Sequence, residues 1–377
     1  MKHSSRLLVF HRTIAPYRID FFNSLSKAFE TRVCLQYKNL LNQKFDYEKI
    51  LELLDFSPVY LKKLIRVKNT IISTGYWKNL NETNPDIVLV SEFGLDCIAT
   101  LLHKWIYRKK YKVVSVCDDS YNMVAENNDF SKIHRLLRQW IVPKLDELIL
   151  VEPKVTAWYL EKYGKGVWFP IIKNEIIVRE QYKNLLSISS DTVKKYRLEN
   201  KKVFLFVGRL VALKNVDTII NAFSQLNNDR TALVVVGDGP ERNSLEKLAS
   251  SKESCIIFTG RLEGDVLYQW YNIANCFILA SYQEPFGAVT NEALLAGCKC
   301  IISNKAGSQC LIDEGVNGYK IDPMDTDGLT SKMRQIIEEC LPVDFKALRP
   351  SQMPFTYHQS ISELIEHLNE IITIQKK

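Results

Sequence analysis

The chain has 377 residues, of which 46% are hydrophobic and 25% charged, with a formal net charge of +7. That length exceeds what one hydrophobic core usually organises and predicts two domains, while the composition lies outside the disordered range. No run reaches the ~18 unbroken apolar residues of a membrane helix, and the opening "MKHSSRLLVFHRTIAPYRIDFF" is interrupted by His11 and Arg12 too early for the core of a signal peptide.

The nine cysteines are odd in number, sit mostly in apolar runs such as "NCFILA", and form no CxxC pair. Cys298 and Cys300 point the same way from one strand without completing a zinc set. This usage predicts a reduced, cytosolic interior rather than a disulfide framework.

From the amino terminus, "RLLVF", "YRIDFFNSLSKAF", "RVCLQY", "DIVLVSE", "DCIATLLHKWIY", "KVVSVCD" and "ELILVE" alternate short apolar runs with longer mixed ones. Strand and helix in turn imply a parallel sheet covered by helices. Two stretches here, "YLKKLIRVK" (60–68) and "HKWIYRKKYK" (103–112), mix Lys and Arg with aromatic and aliphatic residues. That mixture suits the headgroup layer of an anionic membrane; a solvated face over a few core aromatics reads the same way. Neither stretch belongs to a nucleic-acid-binding module, and no nucleic-acid partner is expected.

The polar segment "QYKNLLSISSDTVKKYRLENK" lacks a strand pattern, and the rhythm restarts at Val203 with "VFLFVGRL", "TALVVVGDG", "CIIFTG", "NCFILAS" and "KCIIS". The expected domains are therefore 1–173, a linker at 174–200, and 201–350. Residues 351–377 read as a helix with Ile361, Leu364, Ile365 and Leu368 on one face, packing back on the body, against the first domain. Two such α/β domains leave a cleft, where ligands meet the carboxyl ends of strands.

In "LFVGRLVALKN" a strand ends at Gly208, which lets the backbone approach a ligand, and Arg209 and Lys214 follow ahead of a helix. A guanidinium and an ammonium there suit a diphosphate; two solvated cations in a loop would leave the same trace. "VVVGDGPERNSLEKL" carries Gly237 and Gly239, but position 242 is Arg rather than the third glycine of a dinucleotide fingerprint, so a turn into a helix is the better reading. In "SYQEPFGAVTNEALLAGC", Glu284 follows a strand, Pro285 and Gly287 shape a tight loop, and a helix begins near Val289. Its first amides would meet a phosphate, Glu292 would accept from both hydroxyls of a ribose, and Glu284 would reach hydroxyls beyond the far phosphate. The alternative for these carboxylates is a cap and a surface charge.

Arg209, Lys214, the "GDGP" turn, "GRLEGDVLYQWYNIANCFILASYQEPFGAVTNEALLAGC" and "GSQCLIDEGVNGYKIDPMDTDGL" together resemble the retaining glycosyltransferases of the group 1 type, the Glu-x7-Glu family of GT-B fold. The resemblance spans about residues 203–340 and is fainter in the first half, where "APYRIDFFNSL" carries it. It implies an α/β fold of two Rossmann-like, doubly wound domains facing each other across a cleft. Arg209 and Lys214 would bind the donor diphosphate and stabilise the leaving group, with Gly208 and Gly237 beside them. Glu284 would contact the donor sugar, Phe286, Gly287, Ala288 and Val289 would line the donor site with backbone amides, and Glu292 would hold the ribose. The resemblance further implies hexosyl transfer with retention from a UDP- or GDP-sugar, without a metal or other cofactor. The acceptor would be a saccharide or lipid-linked saccharide, in surface polysaccharide or glycolipid assembly, with the protein cytoplasmic and peripheral on the inner face of the membrane.

Two departures from the family pattern bear on the first domain. The loop after the first strand reads "HRTIAPYR" where glycines are usual, and "VVSVCDDSYN" offers Cys117, Asp118 and Asp119 where many members place a His. Asp118 is the candidate catalytic residue, with capping or a loop as its alternative, and His11 and Arg18 are candidate acceptor contacts. Asp325-x-Asp327 spells the metal pair of the other large glycosyltransferase fold, but a helix cap explains it better. His134, His358 and His367 show no metal-ligand spacing. The competing readings are a non-transferring enzyme of the same fold and a catalytically inactive nucleotide-sugar-binding or scaffold protein.

Overall fold

The apolar runs become two parallel sheets. A computed structural model describes residues 4–39, 45–67, 70–125 and 132–373, and divides the chain into two units, Met1–Ile171 with Tyr357–Lys377, and Ile172–Thr356. The first unit holds β1 (Arg6–His11), β2 (Glu30–Leu35), β3 (Val59–Tyr60), a separate antiparallel hairpin of β4 (Lys62–Val67) and β5 (Thr70–Thr74), then β6 (Ile87–Ser91), β7 (Lys112–Cys117), β8 (Glu147–Leu150) and β9 (Val167–Trp168). The sheet order is β3-β2-β1-β6-β7-β8-β9, with parallel pairing throughout. β6, "IVLVS", is buried at every position, as a strand must be when helices cover both faces.

The connecting helices are α1 (Ile19–Ala28), α2 (Tyr47–Glu52), α3 (Tyr76–Thr83), α4 (Leu95–Ile106), α5 (Tyr121–Ala125), α6 (Lys132–Ile141) and α7 (Pro153–Tyr163). α7 starts on Pro153, whose fixed φ suits a first turn, and stops at Gly164, where φ is 66°. One face of the sheet, with Phe10, Val88, Val113 and Leu148, packs against Leu80 of α3, Cys97 of α4, Ile141 of α6 and Val155 of α7.

The second unit begins with two helices, α8 (Glu175–Asn184) and α9 (Leu186–Lys195), where a linker was expected at 174–200. The polar composition hides a helical stripe. Val178, Tyr182, Leu185 and Ser189 are buried at spacings of four, three and four, and Asn174 caps α8 by accepting from the Ile176 amide. Thr192 then donates to Gln269, and Asn272 donates to the Tyr182 carbonyl, fixing the pair to its own unit.

The rest follows as β10 (Lys202–Val207), α10 (Val216–Ser224), β11 (Thr231–Val236), α11 (Arg242–Ser250), β12 (Ile256–Gly260), α12 (Asp265–Ile273), β13 (Cys276–Leu279), α13 (Val289–Leu295), β14 (Lys299–Ser303), β15 (Gly318–Ile321) and α14 (Thr326–Glu339). The strand order is β12-β11-β10-β13-β14-β15, again all parallel. Successive connections leave β10 in opposite directions, so a topological switch point lies between β10 and β13, where open α/β sheets form a crevice. At the adjacent strand ends, a Cβ on Gly237 would stand 1.8 Å from the Gly208 carbonyl oxygen. Gly237 thus has a packing role of its own, independent of any ligand.

The tail forms α15 (Tyr357–Thr373), which belongs to the first unit. Ile361, Leu364, Leu368 and Ile372 are buried, the Tyr357 and Ser24 hydroxyls are 2.9 Å apart, and His367 Nε2 lies 3.0 Å from the Glu147 carboxylate.

Candidate functional site

In the second unit, β10 delivers Gly208 and the exposed Arg209, which has no ion-pair partner among the described residues. A 3-10 turn, Ala212–Lys214, follows and ends on Asn215 at φ 57°. Asn215 is fully buried and donates to the carbonyls of Ala280 and Pro323, at 3.1 and 2.8 Å, so the turn is tied to the end of β13. Lys214 at that turn forms an ion pair with Glu284, and both side chains are largely buried. The expected cation and the first expected carboxylate therefore meet.

The loop after β13 is held from below. Gly307 donates to the Glu284 carbonyl at 3.0 Å, and Ser308 donates through its amide to the Phe286 carbonyl at 2.7 Å. Gly287 has φ 94°, and a Cβ there would stand 2.6 Å from Leu279 Cδ2 and 3.0 Å from Ser308 Oγ. Only glycine fits that turn. The amides of Gly287, Ala288 and Val289 make no hydrogen bond among the described residues, so they remain available as donors at the start of α13.

Glu292 lies on α13 and is buried. Lys173 Nζ is 2.5 Å from its Oε1, and the Tyr271 hydroxyl donates to Oε2 at 3.0 Å. The Tyr182 hydroxyl donates to the Glu292 backbone carbonyl at 2.9 Å, and Lys173 Nζ also donates to the Tyr268 hydroxyl at 2.7 Å. Burial pushes the Lys173 ammonium down, but the Glu292 carboxylate and Tyr268 more than reverse it and hold the group above its ordinary value. Burial, reinforced by Glu292, raises the Tyr271 phenol well above its ordinary value, so it is a donor at neutral pH. Neither Lys173 nor Tyr271 was read as part of the site. The only signal for Lys173 was a cation directly after the apolar "FPII".

In the first unit, the carboxyl ends of β1 and β7 bring Arg18 and Asp118 together, with Arg18 Nη2 donating to Asp118 Oδ1 at 2.5 Å. Arg18 is buried while Asp118 is half exposed. Arg18 Nη1 is buried without a hydrogen-bond acceptor among the described residues. His11 donates from Nδ1 to the Thr13 carbonyl at 2.7 Å, and burial lowers its imidazole to about 4, so it is neutral at physiological pH with Nε2 as the acceptor nitrogen. Two residues missed in the sequence join this cluster. Arg12 pairs with Glu92 at 3.2 Å, and Glu92 sits at the end of β6 with φ 49°, a costly conformation outside glycine. Burial raises the Glu92 carboxyl, against the pull of Arg12.

Other candidates separate cleanly. Asp119 is buried, accepting from the Tyr159 hydroxyl at 2.5 Å with Arg138 3.6 Å away, which ties loop to helices. Asp325 caps α14 by accepting from the Gly328 amide at 2.8 Å. Among the described residues no three metal-ligating side chains converge, and no helix is long and apolar enough to cross a membrane. In the 60–68 stretch, the side chains from 64 onward lie outside the described residues.

Residues 189–345 match the family model of the glycosyl transferases group 1. An uncharacterized glycosyltransferase of Methanocaldococcus jannaschii is 31% identical over 144 residues, 37% of each chain, so the shared stretch spans little more than a third of that relative's length. A second uncharacterized glycosyltransferase of that organism is 25% identical over 283 residues, 71% of each chain. The crystal structure of Anabaena HepE in complex with UDP-glucose superposes with a TM-score of 0.71 at 17% identity, covering 98% of this chain and 99% of that one. The architecture these define is the GT-B fold, two parallel α/β units. The match to the group 1 glycosyltransferase model falls wholly within the second unit.

Proposed function

We propose that this protein is a retaining glycosyltransferase that moves a hexose from a UDP- or GDP-sugar to a saccharide or lipid-linked saccharide, at the inner face of a membrane during surface polysaccharide or glycolipid assembly. One observation carries the reading. Glu284, paired with Lys214 of the turn after β10, three loop amides unbonded among the described residues, and Glu292 lie along a single loop and helix at the switch point of the second unit. The HepE complex with UDP-glucose supports the donor class.

In this mechanism Arg209 and Lys214 neutralise the diphosphate as the bond to the sugar breaks, which is where charge develops. The loop amides add donors to the same oxyanions. Lys214 exchanges its Glu284 partner for phosphate, and the released Glu284 carboxylate accepts from the donor sugar's hydroxyls. Glu292, pinned by Lys173 and Tyr271, presents its remaining lone pairs to the ribose. The departing phosphate takes the acceptor's proton on the face it leaves, which preserves the anomeric configuration. Two cations supply the charge that a metal would otherwise bring, so metal-independent turnover is proposed. His11, Arg18 and Asp118 form the acceptor side in the first unit, with Asp118 as the half-exposed carboxylate that Arg18 orients.

Thermal unfolding against a panel of UDP- and GDP-sugars, with and without divalent metal, tests the donor half. A ligand at 100 times its Kd adds about 2.7 kcal/mol. A metal-independent shift that Glu292→Ala abolishes is expected; a shift indifferent to Glu292→Ala overturns the ribose assignment. Proton NMR of the transfer product then reads the anomeric configuration, and binding without transfer or donor hydrolysis identifies the inactive nucleotide-sugar-binding protein instead.

A further inference from the structure

The first unit exposes apolar side chains on two neighbouring helices. On α4, Leu95, Leu102 and Ile106 recur at seven and four residues, beside Trp105, which is 77% exposed, and Tyr107 follows the helix. On α6, Ile133, Leu136 and Trp140 recur at three and four, with Ile133 70% and Leu136 63% exposed. These spacings put each set on one helical face.

The two faces adjoin. α4 leads from β6 to β7, and α6 lies on the path from β7 to β8, through adjacent parallel strands, so right-handed crossovers set both helices on the same side of the sheet. Their inner residues agree, since Ile98 and Leu101 of α4 and Leu137 of α6 pack on one core, and the Phe93 ring lies 5.6 Å from that of His134. Two tryptophans and five large aliphatic side chains exposed on these helices mark an interaction surface.

Its charge selects the partner. Across 95–112 and 132–144 the sole acid is Asp96, which is buried. Arg108, Lys109, Lys110, Lys132 and Arg135 have no ion-pair partner among the described residues, and Lys144 Nζ lies 4.1 Å from the Trp140 ring centre. A second copy of this chain would bring like charges together. An anionic bilayer complements both features, because aromatic bodies settle at the headgroup level while Lys and Arg reach lipid phosphates.

The geometry points to the joined outer faces of α4 and α6 as the surface that docks this protein on an anionic lipid bilayer. The inference rests on the membrane setting proposed above and gives it an address. The test is cosedimentation of the full chain with vesicles of phosphatidylcholine, alone or mixed with phosphatidylglycerol, at low and high salt, for wild type and for the variant Trp105→Ser/Ile133→Ser/Leu136→Ser/Trp140→Ser. Every substituted side chain is exposed, and an unchanged Tm and unchanged stabilisation by nucleotide-sugar certify the variant's fold. Wild type is expected to favour the anionic vesicles, to lose binding with salt, and to bind at least about tenfold more tightly than the variant. Acyl-chain-brominated lipids should quench wild-type tryptophan fluorescence and leave that of Trp105→Phe/Trp140→Phe unaffected. No vesicle binding by wild type refutes the membrane setting itself. Equal binding by the variant refutes this face while leaving the setting intact. A wild-type dimer that the variant converts to monomer, with no lipid binding by either, reassigns the face to self-association.

Discussion

Glu284 and Glu292 share one loop and helix but meet their cations differently. Glu284 pairs with Lys214 at the mouth of the loop, whereas Glu292 is buried against Lys173 and Tyr271. Removing one partner of a buried pair leaves the other charge uncompensated, so Lys173→Met is expected to cost about 3 kcal/mol in urea unfolding and to weaken the donor's stabilising shift. Lys173→Arg should restore most of the stability. His11 supplies a pH test. Its imidazole titrates near 4 in the folded protein and near 6.5 when unfolded. Between those values the unfolded chain binds a proton that the folded chain does not, so its contribution is full above pH 6.5 and is lost as pH falls towards 4. Asp96, raised by burial to about 6, works in the opposite sense over the acid part of that range. The stability of wild type minus that of His11→Asn cancels Asp96 and should rise with pH across the window. Lys214, Glu284 and Glu292 stand out in the sequence beside glycine turns and a helix start, and the structure brings Lys214 and Glu284 together. Lys173, Arg12 and Glu92 were not, because each acquires its role from a partner that only the tertiary fold supplies.

Among the elements, those with uniform apolar runs or a clear aliphatic stripe were readable, and those whose buried face includes polar residues were not. β11, "TALVVV", is buried throughout and announced itself, whereas α8 buries only Val178 and Tyr182, and α9 only Ser189, so their sequence reads as a linker. The periodicity was present in Val178, Tyr182, Leu185 and Ser189, but tyrosine and serine do not register as a hydrophobic stripe. Asp325 shows the converse, a motif whose spelling suggested metal and whose place at the start of α14 makes it a cap. Asp325→Ala is expected to lower stability by about 1 kcal/mol and to leave donor binding unchanged with or without divalent metal, which isothermal titration would check.

At the scale of the whole molecule, the first unit is discontinuous, built from Met1–Ile171 and completed by Tyr357–Lys377. The tail helix was legible from its stripe, and its five buried side chains represent on the order of 5 kcal/mol of packing for that unit. Truncation after Thr356 should therefore accelerate hydrogen exchange in β1 and β2 while the donor still protects the second unit, as mass spectrometry would resolve.

The same discontinuity fixes an order of events on the ribosome. Although it leaves the exit tunnel first, the amino-terminal half must wait, with the surface that α15 covers exposed, until the entire second unit has been translated. The part of the protein made later is then the part completed first, and the interval is when the nascent chain presents apolar surface to chaperones.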